Sequence, residues 1–240
     1  LIFYKLWRLY MKKVLLYSGG MDSWLISKIC KPDVKLFVNM GTNSCKGELT
    51  RLDPDVTIIN MKDLGQFERV ETDFILPLRN LYLIALATNF GEHIILGANA
   101  TDATLDKTEE FAEKLEDLLN YMYLPQKWTT GKEIKVDVSY RNYTKSQLLK
   151  MYLDNGGSVE EVYNHTFSCY TPNNKKECHN CRPCFLKLMA FVDNDITLPK
   201  EILQTYLPYI NQKLLDYKDN WGDRLYTRDD YVKVKRMAEE

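Results

Sequence analysis

Two groups of residues in this 240-residue chain have the types and spacing to do chemistry. The first is Ser18-Gly19-Gly20-Met21-Asp22-Ser23, which follows the apolar run Val14-Leu15-Leu16-Tyr17 and opens a helical stretch. Two glycines let the backbone turn sharply and come close to a ligand. The first N–H groups of a helix have no intrahelical partner, and with the helix dipole they form an anion site. Ser18 and Ser23 add hydroxyl donors. Asp22 is placed to cap the helix or to orient a metal-bound pyrophosphate. The loop is too short for a Walker A motif and lacks its Gly-Lys pair.

The second group is Cys169, Cys178, Cys181 and Cys184, spaced C-x8-C-x2-C-x2-C. Four thiolates can close a tetrahedral zinc site, and an iron–sulfur cluster takes the same ligands. Each C-x2-C step lets two sulfurs from one tight turn face one ion. A redox centre would need a single C-x-x-C rather than four clustered thiols. No open coordination position is indicated, so the metal reads as structural. His179 lies inside the cluster and reads as a neighbour, since four cysteines already complete the set. Cys30 and Cys45 carry no assigned role.

The elements that must hold these groups follow from periodicity. Apolar runs at Val14–Tyr17, Val34–Met40, Val56–Asn60 and Glu92–Gly97 read as strands, with a further short strand around Val136 and Val138. Helical patterns after Ser23, over Pro77–Phe90, Thr108–Tyr123 and Thr144–Asp154, and from about Phe185 to Val192 alternate with or follow them. Continuous apolar strands alternating with helices predict an α/β fold, a Rossmann-like parallel sheet with helices on both faces. A smaller helical, metal-bearing C-terminal part follows. The expected organisation is an extension or arm over residues 1–10, a nucleotide-binding core over 11–120, and the C-terminal part over 121–240. Residues 164–184 read as a loop, and 199–240 as two helices rich in tyrosine and charge.

Composition narrows the function. Lys and Arg number 32 and Asp and Glu 33, a net charge of −1, which argues against a protein held on nucleic acid by phosphate neutralisation. Hydrophobic residues at 45% exclude a disordered chain. No apolar run is long enough for a membrane span. Leu1–Tyr10 contains Lys5 and Arg8 and no small-residue cleavage site, so an export signal is not expected. A cytoplasmic protein with reduced or metal-bound cysteines is the expectation.

The loop at Ser18–Ser23 resembles the SGGxDS signature of the PP-loop, or N-type, ATP pyrophosphatases. Joined to the four-cysteine cluster, it is similar to the 7-cyano-7-deazaguanine synthase (QueC) family within that group. Phe74-Ile75-Leu76-Pro77-Leu78-Arg79-Asn80 resembles the family's FVPGRN segment, with Leu78 at the glycine position. Leu96-Gly97-Ala98-Asn99-Ala100-Thr101-Asp102 resembles its strand end, Glu110-Phe111 its EF pair, and Thr144-Lys145-Ser146 a helix start. Phe167-Ser168-Cys169-Tyr170 matches the segment around its first metal cysteine. The likeness runs from about Met11 to Val192. It departs at Asn39–Thr42, where the family has D-Y-G-Q, and after Asp102, where Ala103–Lys107 is shorter than the family's base-pocket segment.

The resemblance implies an ATP-dependent conversion of 7-carboxy-7-deazaguanine and ammonia to the nitrile through adenylated acid and amide intermediates. A PP-loop enzyme adenylating another acceptor, or a nucleotide-binding module without catalysis, are the other readings. Ser18, Gly19, Gly20, Met21, Asp22 and Ser23 would hold the pyrophosphate of ATP, with Mg²⁺ bridging phosphates. Arg79 would steady phosphate or developing charge. Asp102 would bind substrate or metal, and Asp106 would accept from a guanine-like N1–H and amino group. Lys145 either reaches phosphate or is an exposed lysine at a helix start. Cys169, Cys178, Cys181 and Cys184 would hold Zn²⁺. Residues 199–240 would make a homodimer contact or cover the sheet locally.

Overall fold

The computed structural model describes residues 11–100, 104–169, 177–216 and 225–240. Leu1–Tyr10 and Asp102 lie outside the described residues. Five parallel strands form one sheet: β1 (Lys13–Leu16), β2 (Val34–Asn39), β3 (Thr57–Asn60), β4 (His93–Leu96) and β5 (Lys135–Asp137), in the order β3-β2-β1-β4-β5. β1 pairs with β2 through Val14↔Val34 and with β4 through Lys13↔His93. The chain leaves β1 towards one edge and returns at β4 towards the other. The carboxyl ends of β1 and β4 therefore flank the switch point, where open α/β sheets bind ligands. The sheet takes its last strand from residues beyond 120, because β5 pairs in parallel with β4.

The central strand feeds two cores. Successive side chains of a strand point to opposite faces. Leu15 and Tyr17 join one cluster with α1 (Met21–Cys30), α4 (Lys145–Asp154) and α6 (Arg182–Val192). Val14 and Leu16 join the other with α2 (Arg79–Ala87) and α3 (Glu109–Met122). This makes a three-layer sandwich, with α5 (Val159–His165) added on the α1 side. Trp24 of α1 meets Tyr152 of α4 edge-on, ring centroids 5.1 Å apart. Burial of each such side chain stabilises by about 1.5–3 kcal/mol. Among the described residues, no helix is long and apolar enough to cross a membrane.

Two differences from the expected elements have clear causes. α6 begins at Arg182 rather than near Phe185, because Pro183 sits in the first turn, where its missing N–H costs nothing. Among the described residues of 199–240 there are three helices rather than two: α7 (Lys200–Thr205), α8 (Leu207–Asp216) and α9 (Arg228–Glu239). Pro208 cannot continue the helix that precedes it, so α7 stops at Thr205. α9 turns Tyr231, Val234 and Ala238 fully inward, and Tyr231 stacks on Phe185 of α6 at 4.2 Å. This face is a cover for the core of the same chain.

α2 starts on a left-handed residue. Leu78 has φ 58° and ψ 16°, and its side chain is 60% exposed. That conformation costs a non-glycine residue about 1–2 kcal/mol, and little packing offsets it here. Leu78→Gly is expected to raise unfolding stability by about 0.5–1 kcal/mol, part of the relief being offset by the entropy glycine adds to the unfolded chain. A urea midpoint that rises at constant slope is the expected result; a lower midpoint counts against strain at this turn.

Candidate functional site

The loop after β1 is built from its own hydroxyls. Gly19 takes φ +71°, and a Cβ there would lie 3.3 Å from Leu52 Cδ2 and 3.4 Å from the Glu48 carbonyl. Gly20 N–H donates to Ser18 Oγ at 3.2 Å, Ser18 N–H donates to Ser23 Oγ at 3.2 Å, and Ser23 Oγ–H donates to the Gly20 carbonyl at 3.1 Å. The first helical bond of α1 runs from Trp24 N–H to the Gly20 carbonyl at 3.0 Å. The N–H groups of Met21, Asp22 and Ser23 therefore precede the ladder, at the positive end of the helix.

Asp22 does not cap α1. Its Oδ1 accepts from Lys145 Nζ at 2.5 Å and its Oδ2 from Asn99 Nδ2 at 2.7 Å. Lys145 is not an exposed helix-start lysine either, at 8% exposure. Thr144 and Gln147 close a capping box that fixes where α4 begins. The packing of α4 on α1 then aims the next side chain across the cavity at Asp22. A cation thus sits at the mouth of the loop although the chain's net charge is near zero.

A cavity of about 360 Å³ opens over this loop. Ser18, Gly20, Asp22 and Ser23 line one side; Lys145, Asn99, Arg79 and Asn80 line others. Arg79 is exposed, at the first position of α2. Asp106 lies behind the wall rather than in it: its carboxylate accepts from Asn80 Nδ2 at 2.8 Å, and its neighbour Lys107 reaches the cavity instead. Asp102 falls among residues that are not described.

A single helical turn, Cys45–Glu48, forms a further part of the wall and was not legible in the sequence. Cys45 and Glu48 both line the cavity. Burial pushes the Glu48 carboxyl up to about 7, against the opposing pull of the Arg79 guanidinium. No periodicity marked this turn, because four residues are too few for a helical pattern. Asn99 and Arg182 are also cavity residues to which the sequence assigned no role.

The four cysteine sulfurs lie within 4.8 Å of one another. A tetrahedral zinc with Zn–S bonds near 2.3 Å would separate its sulfurs by about 3.8 Å, so the set fits a metal ion of that kind. Cys178 N–H points at Cys169 Sγ (3.4 Å), and Asn180 N–H at Cys178 Sγ (3.3 Å), contacts that favour thiolates. A hydrogen bond from Cys181 and burial push the Cys184 thiol well above its ordinary range. His179 stacks on Tyr206 and pairs with Thr205 Oγ1 at 2.6 Å, outside the sulfur set.

The cluster and the phosphate loop are joined by three residues. Phe167 N–H donates to the Gly19 carbonyl at 3.2 Å, two residues before Cys169. Gly47 leaves room for the Phe167 ring; a Cβ there would fall 2.5 Å from it. Buried Lys187 donates to the Thr166 carbonyl (2.9 Å) and to Glu177 (3.0 Å), and Glu177 accepts from Ser168 N–H at 2.6 Å. Burial lowers the Lys187 pKa while Glu177 opposes the shift.

Comparison with known proteins gives one consistent answer. The family model described as "Queuosine biosynthesis protein QueC" matches residues 33–195. The chain is 24% identical over 224 residues to a 7-cyano-7-deazaguanine synthase of Citrifermentans bemidjiense, covering 78% of this chain and 96% of the relative. It is 25% identical over 227 residues to 7-cyano-7-deazaguanine synthase 1 of Colwellia psychrerythraea, covering 78% and 97%. It is 26% identical over 227 residues to the enzyme of that name from Methanosphaerula palustris, covering 79% and 98%.

The sulfur geometry makes a direct prediction. Cys184→Ser is expected to lose bound metal, read by elemental mass spectrometry, and to lower the unfolding midpoint by about 10 °C. That corresponds to roughly 3 kcal/mol at about 3 °C per kcal/mol for a chain of this size. Unchanged metal content would exclude the cluster as the binding site.

Proposed function

The chain belongs to the QueC family of queuosine biosynthesis proteins, and from that premise we propose that it converts 7-carboxy-7-deazaguanine and ammonia to 7-cyano-7-deazaguanine with ATP. The relatives' names support the product. The observation that carries the chemistry is the Asp22–Lys145–Asn99 cluster, set at the free end of α1 inside the cavity.

In this reading the substrate carboxylate attacks the α-phosphate of ATP and pyrophosphate leaves. Ser18, Gly19, Gly20, Met21 and Ser23 hold the departing pyrophosphate with backbone N–H groups and hydroxyls. These donors are fixed before the reaction, so they stabilise the transition state without reorganising. Lys145 adds a positive charge that Asp22 holds in place, and Arg79 supplies a second one from the mouth. Asp22 is also the carboxylate in reach of a Mg²⁺ ion, which supplies charge neutralisation between the phosphates when bound. Asp106 acts on the base through Asn80, whose amide oxygen is left to accept from a guanine-like N1–H. Asp102, at the end of the segment after β4, is assigned to substrate or metal. Ammonia then displaces AMP, and a second adenylation on the amide oxygen leads to the nitrile. Cys169, Cys178, Cys181 and Cys184 would hold Zn²⁺, which supplies structure and no step of the reaction.

The test is mass spectrometry of the product after incubation with ATP, ammonium and 7-carboxy-7-deazaguanine. The nitrile is expected, with the amide as a transient; a mass matching neither refutes the reading. Exchange of pyrophosphate into ATP with a different acceptor alone would point to another substrate. Asp22→Asn and Lys145→Ala are each expected to slow exchange by about 10²–10³-fold while leaving bound metal unchanged.

A further inference from the structure

We propose that Glu48 is the general base of the nitrogen-transfer step, its carboxylate taking the proton that the nitrogen sheds as the C–N bond forms. The inference rests on the proposed function and adds a catalytic residue to it.

Position is the first argument. The Cys45–Glu48 turn is wedged between two fixed points. The Glu48 carbonyl lies 3.4 Å from where a Gly19 Cβ would stand, and Gly47 lies under the Phe167 ring. Glu48 thus shares the cavity with the phosphate loop and is held against it. The acyl carbon of an adenylate anchored on this loop comes to the same space.

The Glu48 carboxylate, moreover, does no structural work. The neighbouring acidic groups are engaged: Asp22 with Lys145, Glu68 with the Asn43 backbone N–H, Asp53 with Lys35, and Glu177 with Lys187. Among the described residues, the Glu48 side chain takes part in no hydrogen bond or ion pair. A carboxylate kept in a cavity without a partner is a cost to the fold.

The chemistry asks for such a group. Near neutral pH the nitrogen substrate is mostly ammonium, which has no lone pair to attack with. Ammonium gives one proton to Glu48, and the lone pair attacks the acyl-adenylate carbonyl. The C–O bond to AMP breaks, AMP leaves with the electron pair, and the attached nitrogen releases a second proton by the same route through Glu48 to solvent. One C–N bond forms and one C–O bond breaks, with no change of oxidation state.

The titratable and charged groups that share this cavity are Arg79 from α2, Tyr17 just after β1, Asp22 from α1, Cys45 from the same turn, Lys145 from α4, Lys107, Cys169 and Arg182 at the start of α6. With the carboxyl lifted to about 7, its base form appears as pH rises through neutrality. An ordinary carboxylate would be too weak a base for ammonium.

The experiment separates the half-reactions in Glu48→Gln. Exchange of pyrophosphate into ATP with 7-carboxy-7-deazaguanine reads adenylation, and mass spectrometry reads nitrogen transfer. Exchange is expected within about two-fold of the unaltered chain, while ammonia-dependent product falls by about 10²–10³-fold. The levelling-off of product formation above pH 7 that titration of Glu48 gives should disappear, leaving a rate that keeps rising with the free-ammonia fraction. Hydroxylamine, which is largely unprotonated at neutral pH, should restore acyl transfer as the hydroxamate. Three results overturn the inference: unchanged ammonia-dependent turnover, exchange lost in parallel with product, or no rescue by hydroxylamine. Absence of exchange with this acid in the unaltered chain is a different failure, which overturns the proposed function and this inference together.

Discussion

The site depends on one backbone hydrogen bond, from Phe167 N–H to the Gly19 carbonyl. Gly19 sits in the left-handed region. The bond joins the tightest turn of the phosphate loop to a segment some 150 residues later in the chain. That segment is held in turn at Cys169 by the sulfur cluster and at Thr166 and Ser168 by Lys187 and Glu177. Lys187 and Glu177 form a nearly buried ion pair. Such pairs contribute little net stability but are costly to break one-sidedly, so they favour a single geometry. The loop's shape is therefore set by its own hydroxyls and, at Gly19, from outside the loop.

The electrostatics follow from the same economy of placement. A net charge of −1 leaves no general attraction for nucleotide phosphates. The local field comes from the end of α1, from Lys145 and from Arg79 at the mouth. Asp22 offsets part of Lys145 but also fixes where its charge lies, and Asn99 holds the second carboxylate oxygen. A positioned charge in a confined cavity acts more strongly on an anionic ligand than several mobile ones on a surface.

What the sequence made legible is what depends on local pattern. The strands, the glycine loop and the cysteine spacing all rest on neighbours within a few residues, and the five-stranded parallel sheet follows from them. Leu78 is a case in between: the likeness showed it standing at a glycine position, and its left-handed φ gives the physical reason a glycine suits that position. The residues that escaped are set by distant contacts. Lys145 has the pattern of an exposed helix start and is buried because α4 crosses α1. Asp106 has the type of a substrate acceptor, but Asn80 takes its carboxylate. Glu48 belongs to a turn whose existence depends on Gly47 fitting beneath Phe167, a contact across more than a hundred residues.

That contact also explains why thiols rather than apolar side chains hold the far segment. The stretch Thr166–Cys169 must present backbone to Gly19 and a ring to Gly47 while standing beside a polar cavity. Hydrophobic packing strong enough to fix it would place more apolar surface along a polar cavity. The four-sulfur cluster separates the two demands: Cys169 and Cys184 are buried, and they tie the segment down with little added apolar surface. α6 then carries Cys184 straight into the core through Phe185, Leu188 and Phe191, all with 1% exposure or less. The C-terminal helices close over that core. The cysteine-bearing part is thus a brace running from the hydrophobic core to the glycine loop, and the loop inherits the rigidity of that core.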